Sequence, residues 1–295
     1  MLKQQLKLNR LVRSAWPVVL SVAVAAFADA ATARPTPDSP VQDFSGTSFS
    51  LNFGPWQPRA TLVINSHDTA GGSFTGTLTH ARTRFDVNGQ IIAERSPLPY
   101  MTESPPPPSY RIRFSTGRST YQGAIRIADS RARREIFMAG TFVSETLGPR
   151  GPFITSGPFP FCSIPLSGIV SPQTLPVPRE VQLNGVHLDL NFGPGVQEVV
   201  LVIDDHHTAS GRFTGTIWRD GDRSPVTGFI SRGVEPASYK IAFDEGNRAK
   251  YEGAFRLNNG GEEAFIAGTY RINVSLRGSF LLSPSPFCGI GGRRP

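Results

Sequence analysis

The sequence predicts an all-β protein: two tandem antiparallel eight-stranded up-and-down barrels, with two β-sandwiches as the alternative. The first observation behind this is an internal duplication. His67–Thr77 returns as His206–Thr216, and Leu51–Ile91 aligns without a gap on Leu190–Ile230. Sixteen of the first 27 aligned pairs are identical. Ser109–Phe114 then matches Ser238–Phe243, Tyr121–Ala124 matches Tyr251–Ala254, and Phe137–Phe142 matches Phe265–Tyr270. The second observation is period-two alternation. Phe49, Leu51 and Phe53 oppose Ser50 and Asn52, while Tyr110, Ile112 and Phe114 oppose Arg111 and Arg113. One apolar and one polar face define half-buried antiparallel strands. No segment of helical length carries a 3.6-residue apolar stripe.

The third observation is the strand count. In the first half strands centre on Leu51, Leu62, Gly76, Gly89, Ile112, Ile125, Gly140 and Ile154. In the second they centre on Leu190, Leu201, Gly215, Gly228, Ile241, Phe255, Gly268 and Phe280. Gly, Asn, Asp, Ser and Pro clusters between them suit hairpin turns. Eight short strands in roughly 110 residues must hide their edges, and closing the sheet on itself removes edges altogether.

In chain order, residues 1–33 read as an export signal. Lys3, Lys7, Arg10 and Arg13 precede an apolar run from Ala15 to Phe27, and small-residue exits follow at Ala28–Ala30 and Ala31–Ala33. The run is short of the ~20 apolar residues a spanning helix needs. No membrane span is expected once the signal is removed, and the destination is secreted or periplasmic. Residues 34–43 form a Pro-rich lead-in, 44–164 the first repeat, 165–180 a Pro-rich linker, 181–290 the second repeat and 291–295 a tail. The first repeat alone carries the insert Pro97–Pro108, whose four consecutive prolines favour an extended polyproline helix.

The formal charge of +7 comes partly from the leader, which holds four basic residues and one acidic residue in positions 1–30. The remainder has 26 basic and 22 acidic residues, a balance of +4. Arg113, Arg118, Arg126, Arg131, Arg133 and Arg134 crowd the first half without the interleaved aromatics that stack on bases. They read as strand-edge charges that discourage edge-to-edge pairing, so no nucleic-acid partner is expected.

At this point the strand pattern resembles the avidin family. The third strand of each half carries Thr-Gly-Thr after a Gly-containing turn, at Thr75-Gly76-Thr77 and Thr214-Gly215-Thr216. The next carries an apolar-x-Gly-x-apolar segment, Val87–Ile91 and Val226–Ile230. The resemblance covers each repeat once and implies an eight-stranded barrel in each. Its ligand residues do not carry over. The tyrosine that would hydrogen-bond biotin is Leu78 and Ile217, and the serine two positions on is His80 and Arg219. The pocket tryptophans would fall near Phe114 and Phe243, and near Phe142 and Tyr270.

The candidate ligand-binding residues are Tyr110, Phe114, Tyr121, Phe142, Tyr239, Phe243, Tyr251 and Tyr270, which either line a pocket or fill the barrels. Asp204, Asp205, His206 and His207 gather side chains able to hold a divalent cation, against a poorer Asn65-Ser66-His67-Asp68 in the first repeat. Otherwise they form a turn that caps local backbone groups. Cys162 and Cys288, in matching contexts, either bridge the repeats as a disulfide or pack as buried thiols.

No catalytic residue is assigned. A nucleophile elbow needs a strand-to-helix turn that this pattern lacks. Glu135, Glu198, Glu245 and Glu252 are unmatched between repeats, and nothing in the sequence pairs them. The expectation is an exported, non-enzymatic protein without cofactor, binding a small apolar ligand or a protein partner. A structural envelope protein with filled barrels and a hydrolase are the alternatives.

Overall fold

The alternation becomes sixteen strands in a computed structural model that describes residues 42–54, 59–94, 109–130, 133–147, 153–163, 181–193, 199–233, 238–272 and 284–293. The leader, the proline insert and the linker lie outside them. The first eight strands are β1 Ser48–Leu51, β2 Ala60–His67, β3 Ser73–His80, β4 Thr83–Glu94, β5 Ser109–Ser115, β6 Ser119–Ser130, β7 Arg133–Leu147 and β8 Phe153–Cys162. The second eight are β9 Val186–Asn191, β10 Val199–His207, β11 Arg212–Arg219, β12 Asp222–Arg232, β13 Ser238–Glu245, β14 Ala249–Asn258, β15 Glu263–Ile272 and β16 Ser285–Arg293. A short 3-10 turn, Asn259–Gly261, joins β14 to β15.

Within each half, every strand pairs antiparallel with the next in sequence. In the second half β16 also pairs β9, from Cys288 opposite Asn191 to Arg293 opposite Val186, so the barrel closes. In the first half, among the described residues, one bridge joins the two edges. Asn52 N–H donates to the Cys162 carbonyl at 2.7 Å, and Cys162 N–H donates back at 3.0 Å. Two tandem eight-stranded barrels, one closed and one nearly closed, thus replace the sandwich alternative. The last strand is displaced from its expected centre: β16 begins at Ser285, and Phe280 lies outside the described residues. It also runs through Gly291 and Gly292, in the stretch read as a tail.

Inward rows form the core of each barrel. In the second, Leu188, Leu190, Leu201, Ile203, Phe213, Ile217, Val226, Ile241 and Phe243 are buried. The first packs Leu51, Leu62, Ile64, Phe74, Val87, Ile112, Phe114 and Phe161. Both second strands carry a bulge, between Ile64 and Ser66 and between Ile203 and Asp205. The extra residue shifts the alternation by one, which turns His67 and His206 inward rather than their predecessors.

The outward faces of β7, β8, β15 and β16 meet between the barrels. Phe137, Ala139 and Cys162 pack there with their repeat equivalents Phe265, Ala267 and Cys288. Residues meeting their own equivalents is the signature of an isologous interface, here within one chain.

Closure needs glycine at Gly291, where a Cβ would run into the His187 carbonyl of β9. Gly291→Val should therefore destabilise the chain by about 1–3 kcal/mol, the usual cost of forced overpacking. Chemical denaturation measures it, and an unchanged midpoint would contradict the closed register.

Candidate functional site

The inward rows of the second barrel change character where they reach its open end. On β11 the row Phe213, Gly215, Ile217 ends in Arg219, and on β13 the row Tyr239, Ile241, Phe243 ends in Glu245. On β12 the row begins at Ser224, and on β14 at Ala249 and Tyr251. Strand alternation therefore delivers a guanidinium, a carboxylate and a phenol to one mouth. Together with Phe192, Val199, Asn247, Arg248, Tyr270 and Ile272 they line a cavity of about 490 Å³.

The polar groups are mutually paired. Arg219 donates through both terminal nitrogens to the two oxygens of Glu245, each at 3.3 Å. The Tyr251 hydroxyl donates to Glu245 Oε2 at 2.9 Å. The Glu245 side chain is 1% exposed, which a carboxylate tolerates only when paired and hydrogen-bonded. Arg248 adds a second guanidinium 4.0 Å from the same carboxylate and donates to Ser224 Oγ at 3.0 Å. It sits in the β13–β14 turn, where Arg248 N–H donates to the Glu245 carbonyl and Gly246 takes φ 52°. Gly246 reaches that left-handed conformation without a Cβ penalty.

The electrostatics follow from burial and pairing. Burial, reinforced by the Glu245 charge, holds the Tyr251 hydroxyl far above the usual phenol range. Desolvation pulls the Arg219 guanidinium down, but Glu245 more than offsets it, so Arg219 stays charged. Burial also raises Tyr270, opposed by the charge of Arg126, which reaches across from β6. Arg126 also donates to the Phe192 carbonyl at 3.4 Å.

The first barrel does not repeat this mouth. His80 stands where Arg219 does, Thr116 where Glu245 does, and Phe142 where Tyr270 does. Phe53 packs on His80 at 5.9 Å and on Phe142 at 5.3 Å, while Phe142 meets Phe159 at 5.2 Å. Tyr121 stacks between Phe114 and Phe142, and burial pushes its hydroxyl up to about 12.

Of the eight aromatic candidates, Tyr251 and Tyr270 line the cavity. Phe243 stacks beneath Tyr251 at 4.4 Å, and Tyr239 stacks on Phe255 at 4.8 Å. Tyr110 packs edge-on against Phe44 at 5.1 Å. Phe114, Tyr121 and Phe142 belong to the first barrel's aromatic packing.

The acidic-histidine run on β10 disperses. Asp204 accepts from Thr216 Oγ1 at 2.7 Å, Asp205 from Asn184 Nδ2 at 3.3 Å, and His207 contacts Ser210. His206 turns inward, where desolvation lowers its pKa, and its Nδ1 is buried without a hydrogen-bond partner. Among the described residues no three His, Cys, Asp or Glu side chains gather as a metal site. Cys162 and Cys288 are brought together as adjoining buried thiols.

Arg219, Glu245 and Arg248 were absent from the sequence candidates. A signal existed: both Arg219 and Glu245 are charged residues on otherwise apolar inward rows. Arg248, in a turn, gave none.

No family model matches this chain, and neither a curated protein nor a solved structure does. Fold and site define its class as a tandem β-barrel protein whose second barrel carries a cavity lined by a buried Arg–Glu–Tyr cluster.

Alkaline titration tests the burial of these phenols. Tyr121 and Tyr251 keep their protons in the native chain above pH 10, whereas unfolding restores phenols near 10. The native state then binds more protons than the unfolded state, so stability falls as pH rises from about 10 toward 12. Ultraviolet phenolate titration should show part of the six tyrosines ionising only on unfolding; a single phase at ordinary pKa would contradict the geometry.

Proposed function

We propose that this is an exported, non-enzymatic binding protein, secreted or periplasmic, whose second barrel holds a small apolar or amphipathic ligand. The carrying observation is the cavity of about 490 Å³ at the barrel mouth, within the range of small-molecule sites. Its walls are Phe192, Val199, Tyr251, Tyr270 and Ile272, with few polar groups, the composition that orients a ligand while burying most of it. The cluster at its rim offers no nucleophile activated by a base, so binding rather than turnover suits it.

The barrels are of the avidin-like, calycin-like kind in this reading. Thr-Gly-Thr lies on β3 and β11, and the apolar-x-Gly-x-apolar segments lie on β4 and β12. The position that the resemblance gives to a ligand-binding serine is Arg219, a cavity residue. An arginine paired to a buried carboxylate replaces a small hydroxyl there, so the ligand differs from biotin.

A structural reading suits the first barrel better. Its Phe53, Tyr121, Phe142 and Phe159 rings interlock at the equivalent end.

The neutral apolar dye N-phenyl-1-naphthylamine tests the cavity. With the full chain lacking its leader, its fluorescence should rise and saturate at one site per chain. Val199→Trp, which fills the mouth, should abolish the rise while leaving the thermal transition in place. No saturable binding to the parent protein would sink the reading.

A further inference from the structure

We infer that the ligand of the second barrel is an amphipathic anion, an apolar body carrying one carboxylate-like head, and that Arg248 is the residue that receives the head. This rests on the cavity-binding reading above and adds the ligand's charge. The mouth contains two guanidinium groups, Arg219 and Arg248, and one carboxylate, Glu245. Glu245 is already saturated: Arg219 grips both of its oxygens, and Tyr251 donates to one. A cationic head would have to displace that bidentate pair and leave Arg219 unpaired at the cavity wall, which is costly.

Arg248 is differently placed. Its side chain is 66% exposed, it stands 4.0 Å from Glu245, and it donates to the neutral Ser224 hydroxyl. A guanidinium carries five N–H donors, so donors remain for an incoming anion. The site therefore holds one positive charge in excess, at the rim of an apolar-walled hollow where field is focused. An apolar body would lie along Val199, Phe192 and Tyr270, with its head at the rim.

Displacement of N-phenyl-1-naphthylamine from the full chain by three ligands of one chain length tests this: decanoate, decanol and decyltrimethylammonium. Decanoate should displace the dye at roughly tenfold lower concentration than decanol, the worth of one charge-assisted hydrogen bond. Decyltrimethylammonium should be the weakest, and added salt should shrink the advantage of decanoate. Arg248→Gln should remove that advantage, so that decanoate displaces the dye no better than decanol does. As a turn substitution at an exposed side chain it should keep the parent thermal transition, and Arg248→Lys should restore part of the preference. Equal displacement by decanol and decanoate, or stronger displacement by the cation, would overturn the anionic head while leaving the cavity reading intact. Failure of the dye to bind at all would overturn both.

A second inference stands on the interface between the barrels. We propose that Cys162 and Cys288 form a disulfide when the chain folds in the presence of a thiol–disulfide oxidant. Both thiols are fully buried, adjoin one another and occupy equivalent positions of an isologous contact, so each faces its own counterpart. With glutathione disulfide as oxidant, one S–S bond forms between the cysteines as one breaks, and both protons leave on two glutathione thiols. Refolding the full chain with glutathione disulfide, then denaturing and alkylating without reductant, reads the outcome by intact mass. No alkylation and a mass lower by two hydrogens are expected; two alkylated cysteines would overturn the bridge. One glutathione adduct in the Cys288→Ser variant would show that Cys162 meets the oxidant.

Discussion

The pairing of β9 with β16 is the constraint on which the second barrel depends. Six residue pairs, from Cys288–Asn191 to Arg293–Val186, join the last strand to the first. Without them both edges would present unpaired backbone groups, and the inward rows would face water instead of one another. Closure also fixes which residues converge at each end. Arg219, Glu245 and Tyr251 come from β11, β13 and β14, and they meet because the wall is continuous and alternation is kept along each strand.

The two halves solve the same geometry differently. Among the described residues the first is joined by a two-bond bridge between Asn52 and Cys162, whereas its equivalent in the second, Cys288–Asn191, is one of six pairs. At the mouth the first barrel places large aromatic rings, and the second places a charged cluster that leaves room. A buried ion pair is a weak device for stability, because desolvation of both charges offsets much of their attraction. It is present in one copy only: Thr116 and His80 stand in the first barrel where Glu245 and Arg219 stand in the second.

Much of this architecture was legible because period-two alternation and a gapless internal repeat are strong local signals. Leu51, Leu62, Ile112 and Ile241 alternate as buried strand residues must, and all are buried. Thr-Gly-Thr and its turns set the hairpins. The histidines and acids of β10 looked promising only because neighbours in sequence were taken together. A strand sends successive side chains to opposite faces, and the bulge after Ile203 separates Asp204 and Asp205 from His206. The cavity cluster suffered the reverse problem. Arg219 and Glu245 are 26 residues apart, on strands joined only through β12, so their encounter is a property of the closed sheet. The eighth strand of the second half was misplaced because Phe280 sits in an apolar stretch, while β16 itself is rich in Gly and Pro.

The arginine arms between the barrels carry one more consequence. Arg126 of β6 crosses to the Phe192 carbonyl and Tyr270, both part of the hollow barrel's wall. Its repeat equivalent, Arg256, crosses the other way and lies over the Phe159 ring at 5.1 Å. The first barrel is thus a buttress for its neighbour: Arg126 reaches a residue of the cavity wall. The two copies are therefore not independent modules: each sends an arginine into the other's half of the contact.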